Sequence, residues 1–549
     1  MITGKGRTAC QGVAVGTILE IQAPKVSDVS DDAYLSIDQE LELLRDGLKK
    51  AGEELEALAE KTRAQIGDEE AEILEMQRMM LDDPDICEGI EEKIKKGAIS
   101  ASKAALEVGI EQAREFEALD DEYMKGRAAD IKDVTSRISR AILGTSLVTL
   151  KEPCIIVADD LTPSQTVAFD RKLILGFVLK KGTMNSHASI LARTMNIPSL
   201  INTELPDEDL NGRTIAINTD TQMFYLDPDD TTIQDIMVAK DKFYSRQLQL
   251  QKLRGMESIT PNGHKVKTFA NIGRPDDVEA VLENDAEGIG LYRSEFLYIG
   301  KETYPSEDEQ YRAYAKVAST MNGKLVIIRT LDIGADKKAH YFNLPQEENP
   351  ALGMRAIRIC LTRPEIFKTQ LRALYRAAAR GNIAIMLPMI TCVDEVLKAK
   401  EICREVELEL KNDGLEYKVP SLGIMIETPA AAILSDKLAK VVDFFSVGTN
   451  DLLQYTCAID RQNQTLGDFY DPHHPALLEF LRIIAKNAHE NGIWVGICGE
   501  LGGDLTLTDT FIEYGYDELS VSPSVVLQLR EKVIKSKAIC KNPMQNKEK

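Results

Sequence analysis

Residues 421–451 read SLGIMIETPAAAILSDKLAKVVDFFSVGTND. Two short apolar runs, SLGIMIET and FFSVGTND, flank a helical stretch, and each run ends on polar residues. Strand, helix and parallel strand make one βαβ step. The same step recurs on both sides. Beyond residue 260 the strand-like runs are TFANIG, GIGLYR, LVIIRT, IAIMLPM, SLGIMIET, FFSVGTND, WVGICGE and ELSVSP, with helical stretches between them. Eight units in this length predict a (β/α)₈ barrel, which typically takes about 250 residues. A doubly wound sheet is the alternative.

The polar residues at the ends of these runs form a set. They are Arg293 in GLYRSEF, Arg329 in IIRTLD, Glu427 in GIMIETP, Asn450 and Asp451 in VGTND, and Cys498 in VGICGE. In a barrel such positions share the carboxyl-terminal face, where the βα loops converge. Any one of them could be an ordinary surface or ion-pair residue. Together they suit an anionic, phosphorylated substrate: arginine forks match phosphate and carboxylate oxygens. Glu427 and Asp451 are hard oxygen ligands, and two carboxylates completed by substrate oxygens and water are what Mg²⁺ usually takes.

The first half of the chain differs in texture. Residues 36–145 read as helix almost throughout, with Leu41, Leu44, Leu48, Leu55 and Leu58 at three-to-four spacing. A last helical run places Ile131, Val134, Ile138 and Ile142 on one face, and Gly144 stops it. Short β-branched runs lie on either side of this region: GVAVGTILEI before it, then CIIVADD, LILGFVLK and TIAINTD. A strand before the helices, resumed after them, predicts a discontinuous α/β domain, residues 1–30 plus 146–228, with residues 31–145 as a helical insert. Residues 229–258 form a further helix, read as an inter-domain linker with a core helix as the alternative; Asp230 or Thr231 can cap it and Gly255 can end it. The barrel occupies 259–535, and 536–549 is a polar tail.

Charge is uneven. The chain carries −22 overall, and residues 31–143 hold 30 acidic and 16 basic side chains, a net −14. That disfavours nucleic acid and anionic membranes as partners. The acidic helices are either a solvated surface or a docking face for a basic partner. No apolar run approaches a membrane span, so membrane insertion is not expected. The start lacks signal-peptide character, and nine scattered cysteines fit reduced thiols. A cytoplasmic location is therefore expected.

Of six histidines, His187 has the most telling setting, GTMNSHASILAR. Asn185 or Ser186 can cap the helix that follows, which puts the imidazole at the positive end of a helix dipole. That favours the neutral, nucleophilic ring and steadies an attached phosphoryl group. A plain helix-capping histidine is the competing reading. His264 and His489 read as surface residues; His340, His473 and His474 lie in loops without an assigned role.

At these residues the sequence resembles a known family. GTMNSHASILAR is similar to the phosphohistidine signature of the PEP-utilising enzymes, and DFFSVGTNDLLQYTCAIDR to their second signature. LTPSQT, GLYRSEFL, RTLDIGADK, ENPALGMRAIRI and ICGELGGD extend the likeness. It is nearest to the phosphoenolpyruvate–protein phosphotransferase (Enzyme I) branch of the bacterial sugar phosphotransferase system, from the first residues to about 530 in the same domain order.

The resemblance implies that His187 takes the phosphoryl group of PEP, releasing pyruvate, and passes it to a histidine of the carrier HPr. It implies PEP binding by Arg293, Arg329, Arg355, Asn450, Asp451 and Arg461, and Mg²⁺ on Glu427 and Asp451. Cys498 resembles the acid that protonates the pyruvate enolate. Thr166, in LTPSQT, aligns with a residue able to hydrogen-bond the active histidine. The α/β domain becomes a swivelling phosphohistidine domain, the acidic insert an HPr-docking domain, and the barrel the contact of a homodimer.

Thr183 and Gln165 depart from the family pattern. A β-branched residue at 183 resists positive φ, and Gln165 removes a negative charge near His187. Two rival readings remain. A PEP synthase or pyruvate–phosphate dikinase would need a nucleotide-binding domain ahead of the phosphohistidine domain, and only about 145 residues, mostly the helical insert, precede it. A catalytically silent scaffold would be expected to lack the arginines, carboxylates or His187, and all are present.

Overall fold

The computed structural model describes residues 1–549 other than 22–25, 27–33, 66–67, 119–121, 146–149, 160, 162–164, 166–168, 183–186, 195–196, 207, 300, 335–338, 346, 461–462, 464–465, 467–468 and 542–549. The chain divides into two compact units, Met1–Arg246 and Gln247–Lys549.

The first unit holds one sheet and a group of helices. Its strands are β1 (Ile2–Lys5), β2 (Arg7–Cys10), β3 (Val13–Ile21), β4 (Cys154–Ala158), β5 (Ile174–Leu179), β6 (Ser199–Ile201), β7 (Thr214–Asn218) and β8 (Met223–Leu226), in the order β1-β8-β7-β3-β4-β5-β6-β2. β3 and β4 are hydrogen-bonded parallel neighbours, Leu19 opposite Ile156, although the whole helical segment separates them in sequence. β4, β5 and β6 continue the parallel run. Alternate residues feed two apolar layers, Ile156 and Phe177 on one face, Ile155, Val157 and Val178 on the other.

Between β3 and β4 run α1 (Ile37–Gln65), α2 (Asp68–Met80), α3 (Pro84–Gly97), α4 (Ala101–Ala118) and α5 (Glu122–Leu143). The expected stripes are the core: Leu44, Leu55, Val134 and Ile138 are buried, with Leu41, Leu48, Leu58 and Ile142 half-buried against them. Asp83 caps α3 by accepting the Asp85 N–H, and Pro84 occupies the first turn. α4 and α5 pack closely because Gly109 has no side chain: a Cβ there would lie 1.9 Å from Thr135 Oγ1. Gly144 follows α5 with φ +67.

The helix Asp230–Gln251 begins one residue beyond its cap, Asp229, whose carboxylate accepts the Thr232 N–H at 2.8 Å. Its early part buries Ile236 with Val13 and Ala216. Among the described residues no helix is long and apolar enough to cross a membrane.

The second unit contains a closed parallel barrel: β9 (Lys267–Ile272), β10 (Ile289–Arg293), β11 (Val326–Arg329), β12 (Ile383–Leu387), β13 (Ser421–Ile426), β14 (Phe444–Val447), β15 (Trp494–Ile497) and β16 (Glu518–Val521). Each strand falls on one of the eight apolar runs. The runs are near-continuously apolar because both faces are buried. Ile424, Ile426 and Phe445 face the surrounding helices, whereas Met425, Phe444, Met386 and Phe269 fill the interior. Gly423 is required beside Phe444, since a Cβ would lie 2.4 Å from its ring.

Two histidines differ from expectation. His489 is buried, with Nε2 2.9 Å from Asp517. It sits on the inner stripe of the helix Pro475–Glu490 with Leu481 and Ala485, at helical spacing. His264 is half-buried, 3.3 Å from the Tyr516 carbonyl.

Candidate active site

The strand-end residues gather at one end of the barrel. Arg293 is the last residue of β10 and is exposed; Arg329 is the last residue of β11 and is buried. Glu427 follows β13 directly, Cys498 follows β15 directly, and Asn450 and Asp451 lie in the first turn of the helix Thr449–Cys457 after β14. Parallel pairing of Ile426 with Val447 brings the ends of β13 and β14 level. Gly448 then lets the two turns touch: a Cβ there would lie 3.1 Å from Glu427 Cβ and 3.2 Å from its Oε2.

Arg329 and Arg355 are held by carboxylates that strand-end reading did not single out. Arg329 Nη2 donates to Glu295 at 2.7 Å, and its Nη1 lies 3.0 Å from Asp332. Asp332 Oδ1 accepts from Arg355 at 2.7 and 3.2 Å. Arg355 Nη1 also donates to the Tyr455 hydroxyl at 3.2 Å, and that hydroxyl donates to the Ala351 carbonyl. Burial opposes both positive charges, yet the surrounding carboxylates outweigh it and hold both guanidinium pKa values above their ordinary range. The available signal was simple: Asp332 and Glu295 follow strands β11 and β10 within three residues.

Asp332 therefore bridges two buried cations. Asp332→Ala is expected to cost about 3–5 kcal/mol of barrel stability, because it leaves buried guanidinium groups short of a counter-charge. Chemical denaturation followed by the fluorescence of the single Trp494 would read it. An unchanged midpoint would refute the bridge.

Glu427 is fully buried. Its Oε1 accepts the Met389 N–H at 2.5 Å, from a backbone held at φ +56. Its Oε2 is buried without a hydrogen-bond partner. Burial, then the Asp451 and Asp332 carboxylates, pushes its pKa up to about 8, against the pull of Arg329 and the Met389 N–H. An unpaired oxygen beside a second carboxylate fits a hard divalent cation. Among the described residues no group of three or more His, Cys, Asp and Glu side chains could hold a metal.

Asn450 Oδ1 accepts the Glu500 N–H at 3.0 Å, which ties the β14 and β15 loops together. Cys498 is 2% exposed, with Sγ 3.6 Å from the Val447 carbonyl. Burial pushes the thiol pKa up to about 12, with the Ser446 hydroxyl pulling it down. Such a thiol keeps its proton and resists alkylation. Iodoacetamide at pH 8 is expected to leave Cys498 unlabelled in the native chain and to label it in denaturant; native labelling, mapped by mass spectrometry, would contradict the burial.

His187 opens the helix His187–Thr194, so its backbone stands at a helix start, as the sequence predicts. Ala188 and Ala192 bury the helix against the sheet layer containing Phe177 and Ile201. The expected caps Asn185 and Ser186, and Thr183, lie outside the described residues, as do Thr166 and Arg461. Gln165 is buried. His187 belongs to the first unit and the barrel residues to the second.

A barrel whose loop end collects buried arginines, a carboxyl group with one unpaired oxygen and a protonated thiol, joined in sequence to a separate α/β unit with a histidine at a helix start, defines a PEP-utilising enzyme. Family models agree: the PEP-binding domain of these enzymes matches residues 247–538, their N-terminal domain 5–127 and their mobile domain 150–222. The chain belongs to the phosphoenolpyruvate–protein phosphotransferase family. It is 40% identical over 534 residues to the phosphoenolpyruvate–protein phosphotransferase of Priestia megaterium, covering 96% of this chain and 93% of that protein. The protein of the same name from Staphylococcus carnosus (strain TM300) is 40% identical, covering 96% and 92%. That from Bacillus subtilis (strain 168) is 39% identical, covering 97% and 94%.

Proposed function

We propose that this chain moves the phosphoryl group of PEP onto its own His187 and from there to a histidine of the phosphocarrier HPr, releasing pyruvate, as the first step of sugar uptake. The observation that carries the reading is the buried network Glu295–Arg329–Asp332–Arg355 beside Glu427 and Cys498 at one barrel end.

The roles follow from chemistry. Arg329 and Arg355, with Arg293, Asn450, Asp451 and Arg461, bind the phosphate and carboxylate of PEP. The carboxylates behind Arg329 and Arg355 fix their forks in advance, so little ordering remains when PEP arrives. Glu427 and Asp451 would hold Mg²⁺, which supplies neutralisation of phosphoryl charge when bound. The His187 imidazole attacks phosphorus as the enolate leaves, and Cys498 gives its proton to the enolate carbon. Thr166 would orient the imidazole.

The imidazole must come within about 3–3.5 Å of phosphorus and later of the carrier's ring. We assign the α/β domain 1–30 plus 146–228 as the moving element, 31–145 as the HPr-docking domain through its acidic surface, 229–258 as the linker, 259–535 as the PEP barrel and 536–549 as a polar tail. The protein is read as a cytoplasmic homodimer joined through the barrel.

The test is incubation of the intact chain with labelled PEP, Mg²⁺ and purified HPr. Acid-labile, base-stable label on the chain that passes to HPr is expected. Label that stays on the chain when HPr is added would refute the carrier step, and no label at all would refute the reaction. Rigid cross-linking of 1–30/146–228 to 31–145 is expected to abolish labelling, and undiminished labelling would refute the swing.

A further inference from the structure

One buried acid has no part in the reaction so far. Glu518 begins β16 inside the barrel, 1% exposed, and neither carboxyl oxygen has a hydrogen-bond partner. Two glycines make its berth. A Cβ on Gly496 would lie 1.8 Å from Oε2, and one on Gly290 2.6 Å from Oε1. Any side chain at either position would expel the carboxyl. Packing does not call for an acid there, because an apolar chain of equal length would fill the same space, and a buried polar group without partners is costly.

Register puts that acid under the thiol. Gly496 pairs with Glu518 across β15 and β16. Cys498 lies two residues further along the β15 chain, on the same inward face, about 7 Å higher. Burial raises the thiol pKa, and Ser446 beside it lowers it. The Ser446 hydroxyl is itself buried without a hydrogen-bond partner. Ser520, the next inward residue above Glu518, turns its hydroxyl to the same Gly290 berth, 2.5 Å from the Cβ position. That hydroxyl donates to Asn271 Oδ1 at 2.6 Å, and the Asn271 amide donates to the Cys498 carbonyl at 3.0 Å. Two hydroxyls thus lie near the space between carboxyl and sulfur.

We propose that Glu518 is a positioning residue for Cys498, a sealed carboxyl that holds a proton in reserve and returns it to the sulfur after each turnover. The inference rests on the reading of Cys498 as the acid. First the S–H bond breaks as a C–H bond forms at the methylene carbon of the enolate, its electron pair staying on sulfur. The carboxyl O–H bond then breaks and S–H re-forms, the proton passing by way of the Ser446 hydroxyl, which has no partner at rest and must turn to the carboxyl to take it. The carboxylate takes a proton from water once pyruvate has left. Burial raises the Glu518 pKa well above the usual carboxylate range; Lys267 on β9 opposes the rise and Asp517, the residue just before the strand, adds to it, so the resting acid is neutral.

The experiment isolates this step from phosphoryl transfer. The intact chain with Mg²⁺ and pyruvate in deuterated water is followed by NMR for deuterium entering the methyl group. Glu518→Gln keeps the shape and removes the transferable proton. Exchange is expected to slow roughly tenfold to a hundredfold while PEP binding and the melting temperature stay unchanged. Should that variant not fold, Glu518→Met replaces it, since an apolar chain of similar volume removes the buried polar atoms. Exchange at the normal rate in a folded Glu518 variant overturns the proposal. Cys498→Ser separates the underlying reading: if it too exchanges normally, Cys498 is not the acid, whereas loss there with none at Glu518 discards only the reserve.

Discussion

Replacing His187 by alanine is expected to reduce PEP-dependent labelling of the chain to background. The imidazole is the only group at that position able to attack phosphorus and carry it as a base-stable, acid-labile phosphoramidate. The loss should not come from misfolding. Alanine is the best helix former, and residue 187 opens a short helix anchored by the buried Ala188 and Ala192. Nor should it come from lost substrate, since the arginines belong to the other unit. The mutant should therefore bind PEP with unchanged affinity and still exchange the methyl hydrogens of pyruvate, both being barrel properties. Calorimetry with PEP and the exchange assay would check this, and label remaining in the mutant would move the acceptor elsewhere.

Glu427→Gln is expected to slow phosphorylation of His187 by about a hundredfold to a thousandfold, since a lost metal removes several kcal/mol of charge stabilisation. Gln keeps a carbonyl oxygen for the Met389 N–H, so the turn after β12 should hold. The lost charge is one that burial, Asp451 and Asp332 already disfavour. The metal-free variant should therefore unfold no earlier than the unchanged chain, and earlier only by comparison when Mg²⁺ is added to both. A stability gain joined to an activity loss marks a functional carboxylate. Normal turnover in the variant would remove Glu427 from the metal site.

Much of this was legible in the sequence because both signals are local. Eight apolar runs are eight strands, since a strand buried on both faces must be apolar along its length. A polar residue that directly follows such a run stands at the barrel mouth whatever its helices do, which is why Arg329, Glu427 and Cys498 could be picked out. The stripe through Leu44 and Leu55 likewise followed from helical spacing. His489 misled because one residue of a helix reads as polar surface until the packing of its neighbours is known.

What the chain by itself determined, then, was the order of its elements and the side chains at their ends, for these depend on residues adjacent in sequence. Tertiary structure alone decided the partners: Asp332 between two arginines, the Glu427 oxygen left without a donor, and Glu518 sealed between Gly290 and Gly496. Most of those relations join residues on different strands, as far apart as Gly290 and Glu518, and they exist only because barrel closure sets the register of each strand against the next.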